Sequence, residues 1–227
     1  MVIAVVLSGG SGSRFGGSIP KQYLEIDGKP ILVHTLMRLQ INGNIDSIMI
    51  VADDNWKESI LGWVEQFEIS KFMLFAEPGI TRQLSIKNAL LELRNRSICD
   101  GLVMIHDAVR PFVSQELINR CIDACKDDID GTMPVINVTD TTYICDDGMI
   151  TGTLDRSRLF SGQSPEVFRL NKYYSANINA TDDYLTRING SSEIAFLSGL
   201  RIKTVEGEPT NIKITTREDL KQFSDFS

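Results

Sequence analysis

The chain has no long apolar run: nothing in its 227 residues approaches the roughly 18 consecutive apolar residues of a membrane-spanning helix. Its amino terminus, MVIAVVLSGG, lacks the basic segment and small-residue cleavage site of a secretory leader. The apolar stretch there reads as a strand, and a cytoplasmic location is expected. Positive charge is also in short supply. Lys and Arg number 23 against 30 Asp and Glu, a formal net charge of −7. That balance argues against nucleic acid or an anionic membrane as a partner, because both are gripped through clustered cations. Cysteine is sparse, and Cys99, Cys121, Cys125 and Cys145 match neither a metal-ligand spacing nor a disulfide framework. Cys121 and Cys125 share a helical stripe with Leu117, Ile118 and Ile122 and read as buried thiols. No internal repeat or low-complexity linker divides the chain. Hydrophobic residues at 42% and charged residues at 23% are ordinary globular values, and the length favours one domain spanning 1–227.

Short apolar runs alternate with helical patterns. Residues 2–7, 47–52, 72–76, 102–106 and 131–138 read as strands whose near-continuous hydrophobicity suggests burial on both faces. Helical patterns fall between them at 31–40, 56–67, 82–93 and 114–124. In the third, Ile86, Ala89, Leu90 and Leu93 follow the 3.6-residue period; in the fourth, Ser114 is placed to cap, with Glu116 in the first turn. This alternation predicts an α/β fold, a Rossmann-like, mostly parallel sheet with helices on both faces. After Val138 the rhythm breaks. Residues 141–145 and 149–154, joined through Asp146, Asp147 and Gly148, carry a hairpin signal in which Gly148 supplies a positive φ. Such an arm, at about 139–160, has little core of its own, and a second subunit is the economical support, so a homodimer is expected. Helical pieces at 170–178 and 182–189, strands at 201–205 and 212–215, and a last helix opened by Thr216 with Asp219 at capping-box spacing complete the expectation.

The candidate chemistry begins in LSGGSGSRFGGSIPKQ, residues 7–22, which holds five glycines. In an open parallel sheet the loop after the first strand is the usual phosphate site. Gly10-x-Gly12 is followed by Phe15 where a dinucleotide fingerprint needs its third glycine, and Gly16 comes one residue late. The Gly-Lys-Ser/Thr ending of a P-loop is absent. A nicotinamide-dependent dehydrogenase is therefore disfavoured. Arg14 and Lys21, set among N–H donors contributed by Ser8, Gly9, Gly10, Gly12 and Ser13, suit a polyphosphate; a solvated Gly/Ser loop is the plainer alternative. Asp107 directly follows the fourth strand and should project into the cleft. A carboxylate beside a triphosphate repels it unless a Mg²⁺ ion lies between them.

Five segments in order, GGSGSRFGGSIPKQYLEIDGKPIL (9–32), GITRQLSIKNAL (79–90), IHDAVRPFV (105–113), LFSGQSPEVF (159–168) and NIKITTREDL (211–220), resemble the cytidylyltransferases that activate sugar-alcohol phosphates. That family includes the 2-C-methyl-D-erythritol 4-phosphate enzymes of isoprenoid synthesis and the ribitol 5-phosphate enzymes of wall and capsule polymer synthesis. The resemblance covers nearly the whole chain. It implies a fold of the nucleotide-diphospho-sugar transferase type, CTP and a polyol phosphate as substrates, Mg²⁺ as cofactor, and in-line attack of the polyol phosphate on the α-phosphorus with loss of pyrophosphate. It also implies that Arg14, Lys21 and Lys213 stabilise the transition state. Gly79, Arg82 and Ser85 would lie near the cytosine and ribose, although Ser85 equally suits a helix cap. Asp107 would serve the metal, the acceptor or both, and Arg110 a polyol hydroxyl or Asp107 itself. Thr141 and Arg156 would reach across a dimer to the acceptor phosphate, with Thr181 a further contact. Because the reaction needs no base, His106 reads as structural.

Several positions depart from the erythritol type. The loop opens GGSGSR where an alanine pair is common, Gly162-Gln163 is ribitol-like, and Thr210 stands where an aspartate is usual. Residues 182–190 follow neither group. The expectation is ribitol 5-phosphate, with 2-C-methyl-D-erythritol 4-phosphate as the alternative. A non-catalytic nucleotide-binding protein is the reading from another class, and the presence of Arg14, Lys21, Asp107 and Lys213 together counts against it.

Overall fold

Valine, isoleucine and alanine on both faces make VIAVVL a central strand, β1 (Val2–Leu7), in a computed structural model in which residues 1–10 and 19–221 are described. Gly12, Ser13 and Arg14 lie outside the described residues. After a 3-10 turn at Lys21–Tyr23 come a short ribbon, β2 (Glu25–Ile26) and β3 (Lys29–Pro30), and then α1 (Ile31–Gln40). The alternating half continues through β4 (Ser47–Val51), α2 (Asp54–Gln66), β5 (Phe72–Ala76), α3 (Arg82–Asn95), β6 (Leu102–Asp107), α4 (Gln115–Ala124) and β7 (Gly131–Asn137). The side chains of Asp53, Thr81 and Ser114 cap α2, α3 and α4 by accepting from the backbone N–H groups of Asn55, Leu84 and Leu117. Each such cap is worth about 1 kcal/mol.

β1 pairs in parallel with β4 on one side and β6 on the other, and β5 lies beyond β4, also parallel. The second half of the chain adds the arm β8 (Tyr143–Asp146) and β9 (Met149–Thr153), then β10 (Phe160–Gly162), β11 (Glu166–Arg169), α5 (Leu170–Asn179), α6 (Asp182–Thr186), α7 (Ser191–Leu197), β12 (Ile202–Glu206) and α8 (Arg217–Lys221). Among the described residues the main sheet runs β10-β7-β11-β6-β1-β4-β5, with β12 parallel to β7. β11 is antiparallel to both β6 and β7, and β10 is antiparallel to β7.

Three expectations need correction. Neither β10 nor β11 was expected, because Pro165 interrupts the FSGQSPEVFR stretch and masks two strands separated by one turn. The segment 212–215 is not a strand; Ile214 N–H donates to the Val109 carbonyl (2.9 Å) without joining a sheet. The helix expected over 182–189 stops at Thr186, and a separate helix, α7, begins at Ser191. The last helix does open with a capping box. Asp219 Oδ2 accepts from the N–H groups of Thr215 and Thr216 at 2.7 and 2.8 Å, and Thr216 Oγ1 accepts from Asp219 N–H at 3.3 Å.

Helices cover both sheet faces. On one, Leu32, Leu36, Ile60, Leu117 and Ile118 pack with Val6, Ile50 and Met104; the buried thiols of Cys121 and Cys125 join them. On the other, Ile86, Leu90, Tyr173 and Ile194 pack with Val5, Val51 and Ile105, and Phe168 stacks on Tyr173 with ring centroids 4.0 Å apart. The arm stands apart from both layers. Among the described residues β8 and β9 pair only with each other, the turn is made by Asp147 (φ +48°) and Gly148 (φ +81°), and Tyr143, Ile144, Met149 and Ile150 are exposed. Phe168 is 0% exposed, so Phe168→Ala should lower unfolding free energy by about 3–5 kcal/mol in urea denaturation.

Candidate active site

The carboxyl ends of β1 and β6 lie side by side, with Leu7 paired to Asp107. The loop leaving β1 is anchored at its start. Ser8 is buried; its N–H donates to Val51 O (2.9 Å) and its hydroxyl to Tyr23 Oη (3.1 Å), while Tyr23 donates to Ser8 O (3.0 Å). Gln22 Nε2 donates to Ser8 O (2.6 Å) and Gly10 O (2.7 Å). The Ser8 hydroxyl is thus turned inward and shapes the loop. A Cβ on Gly9 would lie 2.4 Å from Pro78 Cβ, so the loop after β1 touches the loop after β5 only because glycine is there. On the β5 side, Gly79 backs onto Leu84, where a Cβ would approach to 2.5 Å. Ser85 Oγ accepts from Gly79 N–H (2.9 Å) and donates to Thr81 O (2.9 Å). Ser85 therefore staples the 79–81 loop, and the cap of α3 is Thr81.

Asp107 is the centre of charge. Its Oδ1 lies 3.1 Å from Arg82 Nε, and its Oδ2 lies 2.9 Å from Lys213 Nζ and 3.5 Å from Arg110 Nε. Burial alone would raise the Asp107 pKa, but Arg82, Lys213 and Arg110 hold the carboxyl far below the usual carboxylate range. Burial alone would lower the pKa of Arg82, yet Asp107 and Glu166 raise it. Burial pulls Arg110 down. Lys21 Nζ donates to the carbonyl of Ile214 (2.8 Å), next in sequence to Lys213. Lys21 is thus tied to the backbone of the residue that follows Lys213, 192 positions away from Lys213 in sequence, and Lys213 itself lies on Asp107.

Arg82 is held from behind. Its guanidinium hydrogen-bonds the Ser191 hydroxyl and lies 3.5 Å from Glu166 Oε1, while Ser192 Oγ donates to Glu166 Oε2 (2.6 Å). Glu166, Ser191 and Ser192 were not anticipated as site residues; Glu166 sits in the quoted SPEVF stretch, but no spacing marked it. His106 is 0% exposed, with Nδ1 3.2 Å from Ser164 Oγ and Nε2 3.2 Å from Arg110 O. These partners assign the proton to Nε2, and burial pushes the pKa down to about 4, so the ring is neutral and structural. Thr141 and Arg156 are exposed on the arm, where Arg156 donates to Thr139 O (2.9 Å), and Thr181 caps α6 by accepting from Tyr184 N–H (3.3 Å). Among the described residues no hydrogen bond or ion pair links these three to the Asp107 cluster.

The described residues contain no group of three or more His, Cys, Asp or Glu arranged to hold a metal. The donor set is one carboxylate already faced by three cations. That fits a Mg²⁺ ion arriving on nucleotide phosphates, which needs only one or two protein carboxylates. The cations in turn outnumber the carboxylates Asp107 and Glu166, so the pocket is built to take further anions.

A family profile described as 2-C-methyl-D-erythritol 4-phosphate cytidylyltransferase matches residues 2–225. The chain is 36% identical over 219 residues to the 2-C-methyl-D-erythritol 4-phosphate cytidylyltransferase of Rubrobacter xylanophilus, covering 96% of this chain and 91% of that one. It is 33% identical over 224 residues to the ribitol-5-phosphate cytidylyltransferase of Streptococcus agalactiae serotype V, covering 98% and 93%. Its fold resembles the crystal structure of Francisella tularensis 2-C-methyl-D-erythritol 4-phosphate cytidylyltransferase with a TM-score of 0.84 at 25% identity, over 100% of this chain and 99% of that one.

The buried histidine gives a pH signature. Unfolded histidine titrates near pH ~6.5 and folded His106 near 4, so between these values the unfolded chain binds more protons and stability falls as pH falls. From the ordinary carboxylate range downward the unfolded chain also binds a proton that folded Asp107 does not, and stability falls further. Urea denaturation from pH 7 to 4 should show the decline, and His106→Asn should flatten it by up to about one proton.

Proposed function

Because the chain belongs to the 2-C-methyl-D-erythritol 4-phosphate cytidylyltransferase family, nucleotidyltransferases that act on polyol phosphates, we propose that it joins CTP to ribitol 5-phosphate and releases pyrophosphate. The observation that carries the reading is Lys213 on Asp107, with Lys21 bonded to the carbonyl of the adjacent Ile214. The attacking group is a phosphate, largely ionised at neutral pH, so the protein has no proton to remove. Positioning and charge stabilisation are what remain. The neutral, inward-facing His106 agrees with a site that needs no base.

In this reading the backbone of Ser8, Gly9 and Gly10, with Gly12 and Ser13, cradles the triphosphate. Gly79 and Ser85 shape the wall beside the base. When CTP enters, Lys213 exchanges Asp107 for phosphate oxygens and, with Lys21 and Arg14, stabilises charge that builds on the α-phosphoryl group. Arg82 and Arg110 stay on Asp107 and keep it ionised beside the acceptor. Mg²⁺, with Asp107 as its one protein ligand, would neutralise charge on the triphosphate when bound.

Gly162-Gln163 and the exposed Thr210 support ribitol 5-phosphate as the acceptor. The 36% identity to the Rubrobacter enzyme favours a second reading, 2-C-methyl-D-erythritol 4-phosphate. The exposed apolar arm supports a homodimer in which Thr141 and Arg156 reach the partner's acceptor phosphate and Thr181 completes that pocket.

With CTP and Mg²⁺, pyrophosphate release should require a polyol phosphate, and kcat/KM should be at least about 10-fold higher for ribitol 5-phosphate than for 2-C-methyl-D-erythritol 4-phosphate. The reverse ranking establishes the second reading. Lys213→Ala should lower kcat by about 10²–10³, the usual loss for one transition-state donor. Ile150→Glu on the arm should shift the protein to monomer in light scattering and raise KM for the acceptor, while CTP binding is retained.

A further inference from the structure

We propose that Gln163 is a positioning residue that sets Lys213 and ties it to the base of the β8–β9 arm. Lys213 belongs to no strand or helix, so its aim depends on what holds the segment around it. On one side that is Ile214, whose N–H donates to Val109 O (2.9 Å) and whose carbonyl accepts from Lys21 (2.8 Å). On the other it is the Glu208–Asn211 turn, where Ser114 and Arg120 bond the Glu208 carboxylate and Arg110 the Asn211 carbonyl, and where the Gln163 side chain bonds the backbone at both ends. Gln163 Nε2 donates to Glu208 O (2.8 Å) and Asn211 O (3.3 Å), and Gln163 Oε1 accepts from Glu208 N–H (3.0 Å).

This amide is used almost to its full hydrogen-bonding capacity, and it is 6% exposed. The turn comes this close because residue 207 is glycine: a Cβ there would lie 2.5 Å from Gln163 Oε1. Asn211 adds a second tie, donating to Ser164 O (2.7 Å), and its own carbonyl also accepts from Arg110 (2.5 Å). The same two residues, 163 and 164, thus hold both the lysine's turn and, through Ser164 Oγ, the Asp107 N–H (3.1 Å).

The clamp is also the first residue after β10. Phe160, Ser161 and Gly162 pair with Asn137, Ile136 and Val135 of β7 and close the base of the arm, and Gln163 N–H continues the contact to Pro134 O (2.8 Å). Gln163 thus joins the base of the arm to the turn that precedes Lys213.

An apolar side chain of equal reach removes the donors and acceptor but keeps the volume, leaving Glu208 and Asn211 to seek other partners. The kinetic part of the test rests on the cytidylyltransferase reading; the labelling part does not. In Gln163→Leu, kcat for pyrophosphate release should fall about 30-fold with KM for CTP within about 3-fold, using whichever polyol phosphate is turned over. In a Lys213→Ala background the same change should alter kcat by less than about 2-fold, because it acts through the missing lysine. Independently of turnover, trace acetylation read by peptide mass spectrometry should label Lys213 several-fold faster in Gln163→Leu than in the unaltered chain, with Lys203 unchanged. Equal kcat losses in both backgrounds, or unchanged Lys213 labelling, overturn the proposal. If Gln163→Leu does not fold, Gln163→Met gives the same readings; failure of both to fold assigns the residue to stability alone and also overturns it.

Discussion

One buried carboxylate organises this molecule. Asp107 sits at the end of β6 with Arg82, Arg110 and Lys213 against its two oxygens. Removing a carboxylate from water costs several kcal/mol unless opposite charge compensates, and here the compensation is more than complete. The surplus is the functional point. A pocket with more cations than it needs for its own acid is unsatisfied until phosphates arrive, and Asp107 keeps those cations from dispersing into solvent before they do.

The backbone delivers these groups from four places. Arg82 opens α3, Asp107 ends β6, Arg110 follows in the next turn, and Lys213 lies on a late segment outside any strand or helix. Parallel β1, β4 and β6 put their carboxyl ends on one edge, as open α/β sheets do. The antiparallel strand β11 adds what a purely parallel sheet would not: it runs from Glu166 away from the site, so the residues just before it, Gln163 and Ser164, are presented at the edge where Asp107 lies. The Ser164 hydroxyl there accepts from the Asp107 N–H, and the Ser164 carbonyl accepts from Asn211.

Much of this was legible in the sequence where a period or a dipeptide carries the physics. β1 and β5 fall where the apolar runs put them, α1 matches its helical stripe residue for residue, and Ser114 caps α4. The Asp147-Gly148 turn was readable because few residues accept positive φ. What escaped notice lacks a local signal. Ile212 and Ile214 alternate like a strand, yet their segment meets the protein through isolated contacts, so tertiary placement overrode the pattern. Ser8 and Ser85 carry hydroxyls that suit a ligand, but both face the backbone or Tyr23, and orientation is not written in residue type. Glu166, Ser191 and Ser192 are ordinary polar residues whose meeting around Arg82 depends on three elements packing together.

The placement of β11 has a consequence for biogenesis. β6 pairs with β1, which precedes it in the chain, but its other neighbour is encoded roughly sixty residues later, after the whole arm, so in N-to-C synthesis one edge of Leu102–Asp107 has no partner until β11 is made. The sheet is therefore closed across β6 only by a strand from the second half of the chain, and the arm lies inside the loop that this pairing closes.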